Sequence, residues 1–254
     1  MSQPDMRGSV APGTVVVVTG GARGIGAGLS RYLAAQGAAV VTADVVDPAE
    51  DGADGGDVTH LRADVSDESS WQQLVAEVLE RHGRIDALIN NAAVYQGLGT
   101  KRPFTDITVE EWDRVLAVNT RGVWLGMRAV HPVMKAQGRG RVVNIASSTV
   151  HMGVPWFAHY TASKGAVIAL TRSVAREVGA DGITVNAVAP GLVETDATRA
   201  LNDADYLAAS AGRRAVPRAM EPGDLAPVVS FLCSEGSGFV TGQTLIVDGG
   251  VAFS

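Results

Sequence analysis

Short apolar runs alternate with longer amphipathic stretches along the whole chain. Several of the runs, most clearly Val15 to Val18, are continuously apolar rather than alternating. Such runs are typical of strands that are buried on both faces, as in a parallel sheet covered by helices. The predicted strands span residues 14–19, 39–44, 59–63, 87–90, 141–146, 184–189 and 244–247.

The stretches between these runs carry helix signals. Ser66 is a candidate N-cap, and Thr108 and Glu111 have the spacing of a capping box. Pro222 suits a first helical position, whereas Pro227 is expected to kink the last helix or delay its start. The predicted helices span residues 25–36, 67–82, 108–135, 160–178 and 222–233. Regular alternation of strand and helix predicts an α/β fold, a single doubly wound Rossmann-like domain with a seven-stranded parallel sheet and helices on both faces.

The composition of the chain ends and loops predicts how the sequence divides into a tail, one domain and surface segments. Residues 1–13 are polar and lack the apolar segment of a signal peptide, so they predict a short flexible tail before one domain over residues 14–254. The glycine- and aspartate-rich residues 51–57 predict a surface loop. Residues 195–215 are weakly patterned, and we expect them to form a mobile flap over the substrate site.

Composition excludes several classes of function. The net charge is −6 with both signs mixed, which is unlike a nucleic-acid-binding surface. No apolar run reaches the ~20 residues of a membrane span. Cys233 is the single cysteine and lies in an apolar stretch, which indicates a buried thiol and excludes an internal disulfide or a cysteine metal cluster. These features predict a cytoplasmic protein that binds neither nucleic acid nor membrane.

A glycine loop follows the first predicted strand and opens the first helix. Its sequence is TGGARGIG, from Thr19 to Gly26. Glycines allow the backbone to approach a ligand closely, and a helix N-terminus offers free N–H groups to a pyrophosphate. Asp44 ends the next strand, near the ~20-residue spacing expected for an acid that binds a cofactor ribose. The loop and the acid together predict a dinucleotide site.

Asp44 also discriminates between cofactors. Its carboxylate can accept hydrogen bonds from ribose hydroxyls, but it would repel the 2′-phosphate of NADP. The next residue is Val45, which adds no positive charge. We therefore expect NAD, while Arg23 in the glycine loop keeps NADP open as an alternative.

Tyr160 and Lys164 are four residues apart in a predicted helix and share one face of it. A free tyrosine has a pKa of ~10, and a nearby ammonium is expected to lower it. A tyrosine of this kind can take a proton from an alcohol or give one to an alkoxide. Ser147 precedes Tyr160 by thirteen residues, at the end of a predicted strand where α/β sheets bind ligands.

These motifs occur together and in order, and over residues 14–250 the chain resembles the short-chain dehydrogenase/reductases. Ala93 departs from the glycine that is common in the family's Asn-Asn-Ala-Gly motif. The matching elements are TGGARGIG at 19–26, DV at 64–65, NNAA at 90–93, Asn119, Ser147, YTASK at 160–164, NAVAPG at 186–191, TGQ at 241–243 and VDGG at 247–250.

The resemblance implies a role for each matching residue. Tyr160 is the general acid/base, Lys164 binds the nicotinamide ribose, and Ser147 polarises the substrate oxygen. Asn119 helps to hold a water that relays protons. No metal is implied. The cofactor-binding residues are then Gly20, Arg23, Gly24, Ile25, Gly26, Asp44, Val45, Asp64, Val65, Asn91, Ala92, Tyr160, Lys164, Pro190, Gly191, Val193 and Thr195.

Three segments should contact the substrate: residues 94–96, residues 149–157, and Leu192 with the residues after it. Their apolar and aromatic content favours a hydrophobic or aryl secondary alcohol or ketone. Packing of Trp156 and Phe157 within the loop before the catalytic helix is an equally good interpretation. The candidate pocket residues are Tyr95, His151, Met152, Trp156, Phe157 and Leu192.

Alternatives to an NAD-dependent alcohol dehydrogenase stay open. One is an NADPH-dependent ketone reductase, which Arg23 would favour. Another is a non-catalytic dinucleotide-binding redox regulator, although such a protein should have lost part of the catalytic set. An epimerase or dehydratase of the extended type would need more chain for its substrate domain. The family resemblance also implies a homotetramer built on the long helices and the C-terminal strand.

Overall fold

Seven parallel strands form one sheet in the computed structural model, which describes residues 8–48, 58–95, 98 and 101–253. The strand order is β3-β2-β1-β4-β5-β6-β7, so the predicted doubly wound parallel sheet is confirmed. The strands are β1 (Val15–Thr19), β2 (Ala39–Asp44), β3 (Val58–Arg62), β4 (Ala87–Asn90), β5 (Gly140–Ile145), β6 (Ile183–Pro190) and β7 (Thr244–Val247).

Helices connect the strands and cover both faces of the sheet. Each predicted helix is present, and short additional helices lie around the carboxyl edge of the sheet. The helices are α1 (Gly24–Ala35), α2 (Glu68–His82), α3 (Val109–Leu116), α4 (Gly122–Gln137), α5 (Thr149–Met152), α6 (Ala158–Val178), α7 (Asp196–Leu201), α8 (Ala204–Gly212) and α9 (Pro222–Cys233).

The buried faces explain why the strands read as continuous apolar runs. All five residues of β1 are buried. Val15 and Val17 belong to the core cluster on one face, and Val16 and Val18 to the cluster on the other. Side chains alternate across a strand, so a strand that is covered on both faces needs apolar residues at every position.

Some helix boundaries differ from the predictions. Asp67, rather than Ser66, caps α2, because its carboxylate accepts hydrogen bonds from the backbone of Ser69 and Ser70. Helix α9 begins at Pro222 and continues through Pro227, so its start is not delayed. The Asp224 carboxylate and the Glu221 backbone hold that start through a capping box.

The long predicted helix over residues 108–135 is interrupted by a wider turn. Residues 117–121 form a π-helical turn between α3 and α4, and Asn119 is buried within it. Turns of this kind are frequent at functional sites. Thr108 caps α3 through the Glu111 backbone, but the Glu111 carboxylate binds elsewhere instead of completing the capping box.

The described end of the predicted N-terminal tail is packed against the fold. Val10 is 2% exposed, and its backbone N–H donates to the Ser230 hydroxyl on α9. The apolar side chain of Val10 is thus covered by the fold at α9, whereas residues 11–13 are exposed. Residues 1–7 and the predicted loop at 51–57 lie outside the described residues. Cys233 is buried as expected, and burial raises the pKa of its thiol to about 12.

No helix among the described residues is both long enough and apolar enough to cross a membrane.

Buried polar side chains bridge the middle of the sheet to α6. Asn90 on β4 donates to the Asn144 side chain on β5 at 2.8 Å, and Asn144 donates to the Thr171 hydroxyl at 3.0 Å. Thr171 in turn donates to the Val167 carbonyl at 2.8 Å. Buried polar groups stabilise a fold only when they are paired, so this chain of bonds fixes α6 over β5.

We predict that Thr171→Val lowers the free energy of unfolding by about 1–3 kcal/mol, because it removes a buried acceptor of the Asn144 amide. Thr184→Val is the matched control, since the buried Thr184 hydroxyl has no hydrogen-bond partner among the described atoms. The control should be neutral or stabilising. Urea denaturation of both variants measures the difference, and equal losses would contradict the role of the Asn90–Asn144–Thr171 chain.

Candidate active site

The carboxyl ends of the strands carry most of the predicted site residues. The sheet order reverses direction between β1 and β4, and ligands of open α/β sheets bind in the crevice at that point. The glycine loop follows β1, Asn91 follows β4, and Ser147 follows β5 by two residues. Residues that are far apart in sequence therefore meet at one edge.

The glycine loop is shaped by close backbone packing. Gly20 and Gly24 have φ of 64° and 58°, which favours glycine. A Cβ on Gly26 would lie 2.0 Å from the Gly20 carbonyl oxygen. Arg23 is the N-cap of α1 and makes no capping hydrogen bond with its side chain, which leaves the first N–H groups of α1 without a side-chain cap. This geometry fits a pyrophosphate.

Asp44 lies beside the loop at the end of β2. Its Oδ2 accepts a hydrogen bond from the Ala22 N–H at 3.1 Å, and its Oδ1 accepts from the backbone of Val45 and Val46. A carboxylate has about four acceptor positions, so Oδ2 retains capacity for a ribose hydroxyl. The Val45 side chain is half exposed beside it.

Asn91 and Thr19 brace the loop from beneath. The Asn91 side-chain amide donates to the carbonyls of Thr19 and Gly20 at 2.9 and 3.0 Å. The Thr19 hydroxyl accepts from the backbone of Asn91 and Ala92. The Asn91 side chain thus holds the loop in shape.

The residues expected at the adenine end lie after β3. The Asp64 carboxylate accepts from the backbone and hydroxyl of Ser66, which turns it toward its own loop. Val65 is buried, and its carbonyl accepts from the Trp71 indole at 3.0 Å. Both residues line the same edge of the sheet as Asp44.

Residues after β6 close the site from the other side. The Gly191 N–H donates to the Val247 carbonyl at 2.9 Å, which continues the sheet beyond Pro190. Val193 is buried, and Thr195 caps α7. Thr195 also faces the glycine loop, since a Cβ on Gly24 would lie 3.7 Å from its methyl carbon.

Ser147, Tyr160 and Lys164 come together between β5 and α6, as expected. All three are buried. The Lys164 ammonium donates to the Ile145 carbonyl at 2.7 Å and lies 5.8 Å from the centre of the Tyr160 ring. The Ser147 hydroxyl accepts from the Thr149 hydroxyl at 3.0 Å and also hydrogen-bonds to Tyr160.

The pKa of Tyr160 is shifted in the direction opposite to the sequence-based expectation. Burial raises it, the neighbouring Tyr95 raises it further, and only the hydrogen bond to Ser147 lowers it. Lys164 does not offset the effect of burial on the pKa of Tyr160, because its ammonium is directed to the Ile145 carbonyl instead of the phenol. Burial also lowers the pKa of Lys164 to about 8.

Asn119 joins three parts of the site. Its Oδ1 accepts from the Val94 N–H at 2.7 Å, and its Nδ2 donates to the Ser163 hydroxyl at 3.1 Å. Ser163 donates to the Tyr160 carbonyl at 2.7 Å. The π-helical turn places Asn119 between the loop after β4 and α6, which the sequence pattern did not show.

An aromatic cluster forms the wall around Tyr160. The ring of Phe157 lies 4.9 Å from that of Tyr160, and Tyr95 lies 5.5 Å from Tyr160 and 5.8 Å from Phe157. The Tyr95 hydroxyl bonds to the side chains of Thr198 and Asn202 at α7, and burial raises its pKa. Tyr95 and Phe157 therefore lie where the sequence placed the substrate pocket.

The other pocket candidates are more exposed. Trp156 is 59% exposed and has a φ of 61°, a conformation that is rare for a bulky residue. Phe157 thus packs the loop, while Trp156 does not. His151 and Met152 are exposed on α5, and the carbonyl of the half-buried Leu192 accepts from Arg214 at 2.6 Å.

A buried ionic group lies behind the aromatic wall. His159 contacts the Glu111 carboxylate at 3.2 Å, and Glu111 also pairs with Arg102. Burial, Arg102 and Arg114 all lower the pKa of His159. His159 therefore braces α6 against α3, in keeping with its helical offset from Tyr160.

Two cations that sequence reasoning missed lie near the site. Arg62 on β3 stands opposite Asp44 in the strand register and is exposed. The Lys101 ammonium lies 4.2 Å from the ring centre of Tyr206 on α8. Strand pairing places Arg62 beside Asp44, and a long loop places Lys101 near Tyr206. No local sequence pattern therefore predicted either position.

Comparison with known proteins identifies the family of the chain. A family model described as enoyl-(acyl carrier protein) reductase matches residues 20–252. The chain belongs to the short-chain dehydrogenase/reductases, oxidoreductases that use a nicotinamide cofactor and act on CH–OH groups.

Relatives and a solved structure cover nearly the whole chain. Cyclopentanol dehydrogenase of Comamonas sp. is 39% identical over 93% of this chain and 96% of its own length. Cis-4-hydroxycyclohexanecarboxylate dehydrogenase of Sinomonas cyclohexanicum is 39% identical over 93% and 95%. The crystal structure of levodione reductase superposes with a TM-score of 0.84 at 33% identity, covering 94% of this chain and 97% of that one.

We predict that Gly26→Ala weakens NADH binding by about tenfold or more, because the new methyl group would push the Gly20 carbonyl out of the loop. Gly223→Ala is the control, since a Cβ there meets nothing within 4 Å. Titration of NADH fluorescence measures both affinities. Unchanged binding by a folded Gly26→Ala variant would show that the loop does not cradle the cofactor.

We also predict that Lys164→Met raises the free energy of unfolding at pH 7 by about 1–2 kcal/mol while abolishing turnover. The pKa of Lys164 is about 8 in the fold against 10.5 for an ordinary lysine, so between these values the unfolded chain binds more protons. Stability of the natural protein therefore rises with pH across this range. The advantage of the variant should shrink from pH 8 toward pH 10 in denaturation experiments. If the variant is less stable than the natural protein at pH 7, burial of the Lys164 ammonium does not lower stability and the prediction is wrong.

Proposed function

We propose that this protein is an NAD-dependent dehydrogenase that interconverts hydrophobic secondary alcohols, cyclic ones among them, and their ketones. The observation that carries the proposal is the meeting of Ser147, Tyr160 and Lys164 beside an aromatic wall and next to a glycine loop. Such a site has a proton donor and acceptor, a hydroxyl to orient the substrate oxygen, and a dinucleotide cradle in one cleft.

The protein's own residues would control the proton. Tyr160 removes the hydroxyl proton during oxidation and returns it during reduction. Ser147 hydrogen-bonds to the substrate oxygen and to Tyr160, which aligns the two oxygens. Lys164 holds positive charge at the end of β5, and Asn119 keeps the loop after β4 in register with α6. A bound nicotinamide cofactor would supply the hydride chemistry at the substrate carbon.

Backbone and small side chains would hold that cofactor. The N-terminus of α1 and the loop around Gly24 would bind the pyrophosphate, and Asp44 the adenosine ribose. Asp64 and Val65 would flank adenine. The segment from Pro190 through Thr195 would flank the nicotinamide.

The pocket favours an apolar ring as substrate. Tyr95 and Phe157 present flat, buried faces next to Tyr160. Two relatives are named for cyclic alcohols, and the levodione reductase structure is a third protein of similar fold named for a carbonyl substrate. The helices α7 and α8 would form the flap over this ring, since Tyr95 already bonds to α7.

An NADPH-dependent reductase is the second candidate. Arg62 lies opposite Asp44 on the neighbouring strand, and together with Arg23 it gives the ribose end two cations. The Asp44 carboxylate would repel a 2′-phosphate. It accepts a hydrogen bond from the glycine loop itself, so its charge acts on that phosphate more directly than the two arginines do. For this reason NAD is the proposed cofactor.

We propose a homotetramer as the working assembly. Trp112 and Trp124 are 39% and 42% exposed on the α3–α4 face, and they line a groove with Leu116 and Leu170. Phe253, near the C-terminus, is 85% exposed on a separate part of the surface. Exposed apolar patches of this kind mark protein interfaces.

The purified chain should reduce NAD in the presence of cyclopentanol or cyclohexanol, with weaker activity or none with NADP. Tyr160→Phe should lower kcat/KM by about 10²- to 10⁴-fold, because it removes the proton-transfer group. Absorbance of the reduced nicotinamide measures turnover.

Tyr32→Phe is the matched control and should keep full turnover, since Tyr32 lies on α1 and packs against the apolar core there. NADH should still bind to Tyr160→Phe. Turnover only with NADP would overturn the proposed role of Asp44. Full activity of Tyr160→Phe would overturn the mechanism, and tight NADH binding with no turnover on a broad alcohol panel would favour the redox regulator.

A further inference from the structure

Lys101 is a cation at the mouth of the aromatic pocket. Its ammonium lies 4.2 Å from the ring centre of Tyr206 and 6.0 Å from that of Phe157, and it donates to the Asn202 side chain at 3.2 Å. The residue is partly buried. A positive charge in such a place is stabilised by the ring faces, but it has lost part of its water.

The nearby arginines have carboxylate partners, whereas Lys101 contacts none within ion-pair distance among the described residues. Arg102 pairs with Glu111, and Arg199 on α7 pairs with Glu194. An ammonium has three N–H donors, and Asn202 accepts one of them. Lys101 therefore has donors and charge available for a ligand.

The position of Lys101 relative to Tyr160 sets the size of that ligand. The ring of Phe157 neighbours both residues, because its centre lies 4.9 Å from that of the Tyr160 ring and 6.0 Å from the Lys101 ammonium. A ring that packs on Phe157 with its hydroxyl at Tyr160 would direct a substituent on its far side toward Lys101. The pocket is aromatic between these two polar ends.

We propose that Lys101 binds an anionic substituent, such as a carboxylate, on the far side of a cyclic alcohol whose hydroxyl reacts at Tyr160. This inference rests on the proposed function and narrows its substrate class to hydroxy acids with an apolar ring. A carboxylate would take the donors of Lys101 in a charge-assisted hydrogen bond, which is stronger than a neutral one.

The hydrogen bond from Lys101 to Asn202 and the contact of Lys101 with Tyr206 would also fit a second role for this lysine. These contacts join the loop before α3 to α7 and α8, so Lys101 could act as a latch for the flap alone. A latch would affect neutral and anionic substrates equally. An anion-binding residue would affect only the anionic ones, and this difference separates the two roles.

The test compares cis-4-hydroxycyclohexanecarboxylate with its neutral carboxamide, at saturating NAD, in the full-length enzyme. For Lys101→Met, the ratio of kcat/KM for the carboxylate to that for the carboxamide should fall by about 10- to 100-fold, as for loss of a charged hydrogen bond. Lys101→Arg should keep the ratio within about fivefold, because it keeps the charge. Asn202→Ala removes the latch contact and should leave the ratio within about twofold.

Calorimetric titration of the NAD-bound enzyme with 4-oxocyclohexanecarboxylate gives a readout without turnover. Binding should weaken in Lys101→Met by about the same factor as the kinetic ratio. An unchanged ratio, or equal losses with both substrates, would overturn the inference and leave the latch. If the natural enzyme turns over cyclohexanol but neither of these compounds, the inference about Lys101 is wrong and the proposed function stands. If it turns over none of the three, the proposed function fails, while the titration still decides whether Lys101 binds the anion.

Discussion

The hydrogen bond from the Lys164 ammonium to the Ile145 carbonyl is the contact on which the site depends. It ties the first turns of α6 to the carboxyl end of β5, and so it sets where Tyr160 stands relative to Ser147. Lys164 is 2% exposed, and burying a charge costs stability unless the charge is paired. A fold that keeps this lysine gives up stability at the place where the proposed mechanism needs a positive charge.

Polar side chains hold the same region from two further directions. Asn119, in its π-helical turn, binds the loop after β4 and, through Ser163, the backbone of Tyr160. Deeper in the sheet, Asn144 joins β4 and β5 to Thr171 on α6. Helix α6 is thus held at three levels, twice by the sheet and once by the π-helical turn, which suits the proposed role of Tyr160.

The proposed substrate pocket is built differently from the cofactor cradle. The cradle consists of backbone groups in a loop where glycines leave no room for side chains. The pocket consists of large aromatic side chains, with exposed Trp156 in a rare backbone conformation at its edge and with contacts to α7 and α8. Backbone geometry preserves a common cofactor, whereas side chains on loops allow the substrate to differ among proteins of one fold.

The sequence by itself determined the fold class, the order of the elements and the chemistry, because apolar periodicity, the glycine loop and the Tyr160–Lys164 spacing are local features of the chain. It placed Ser147 and Asp44 at the carboxyl ends of strands, and family resemblance alone gave Asn119 a role. Only the tertiary structure decided that Lys164 points at a backbone carbonyl, that burial raises the pKa of Tyr160, and that Lys101 reaches the pocket. These properties depend on which groups are desolvated and which side chains meet across distant segments, and no local pattern carries that information.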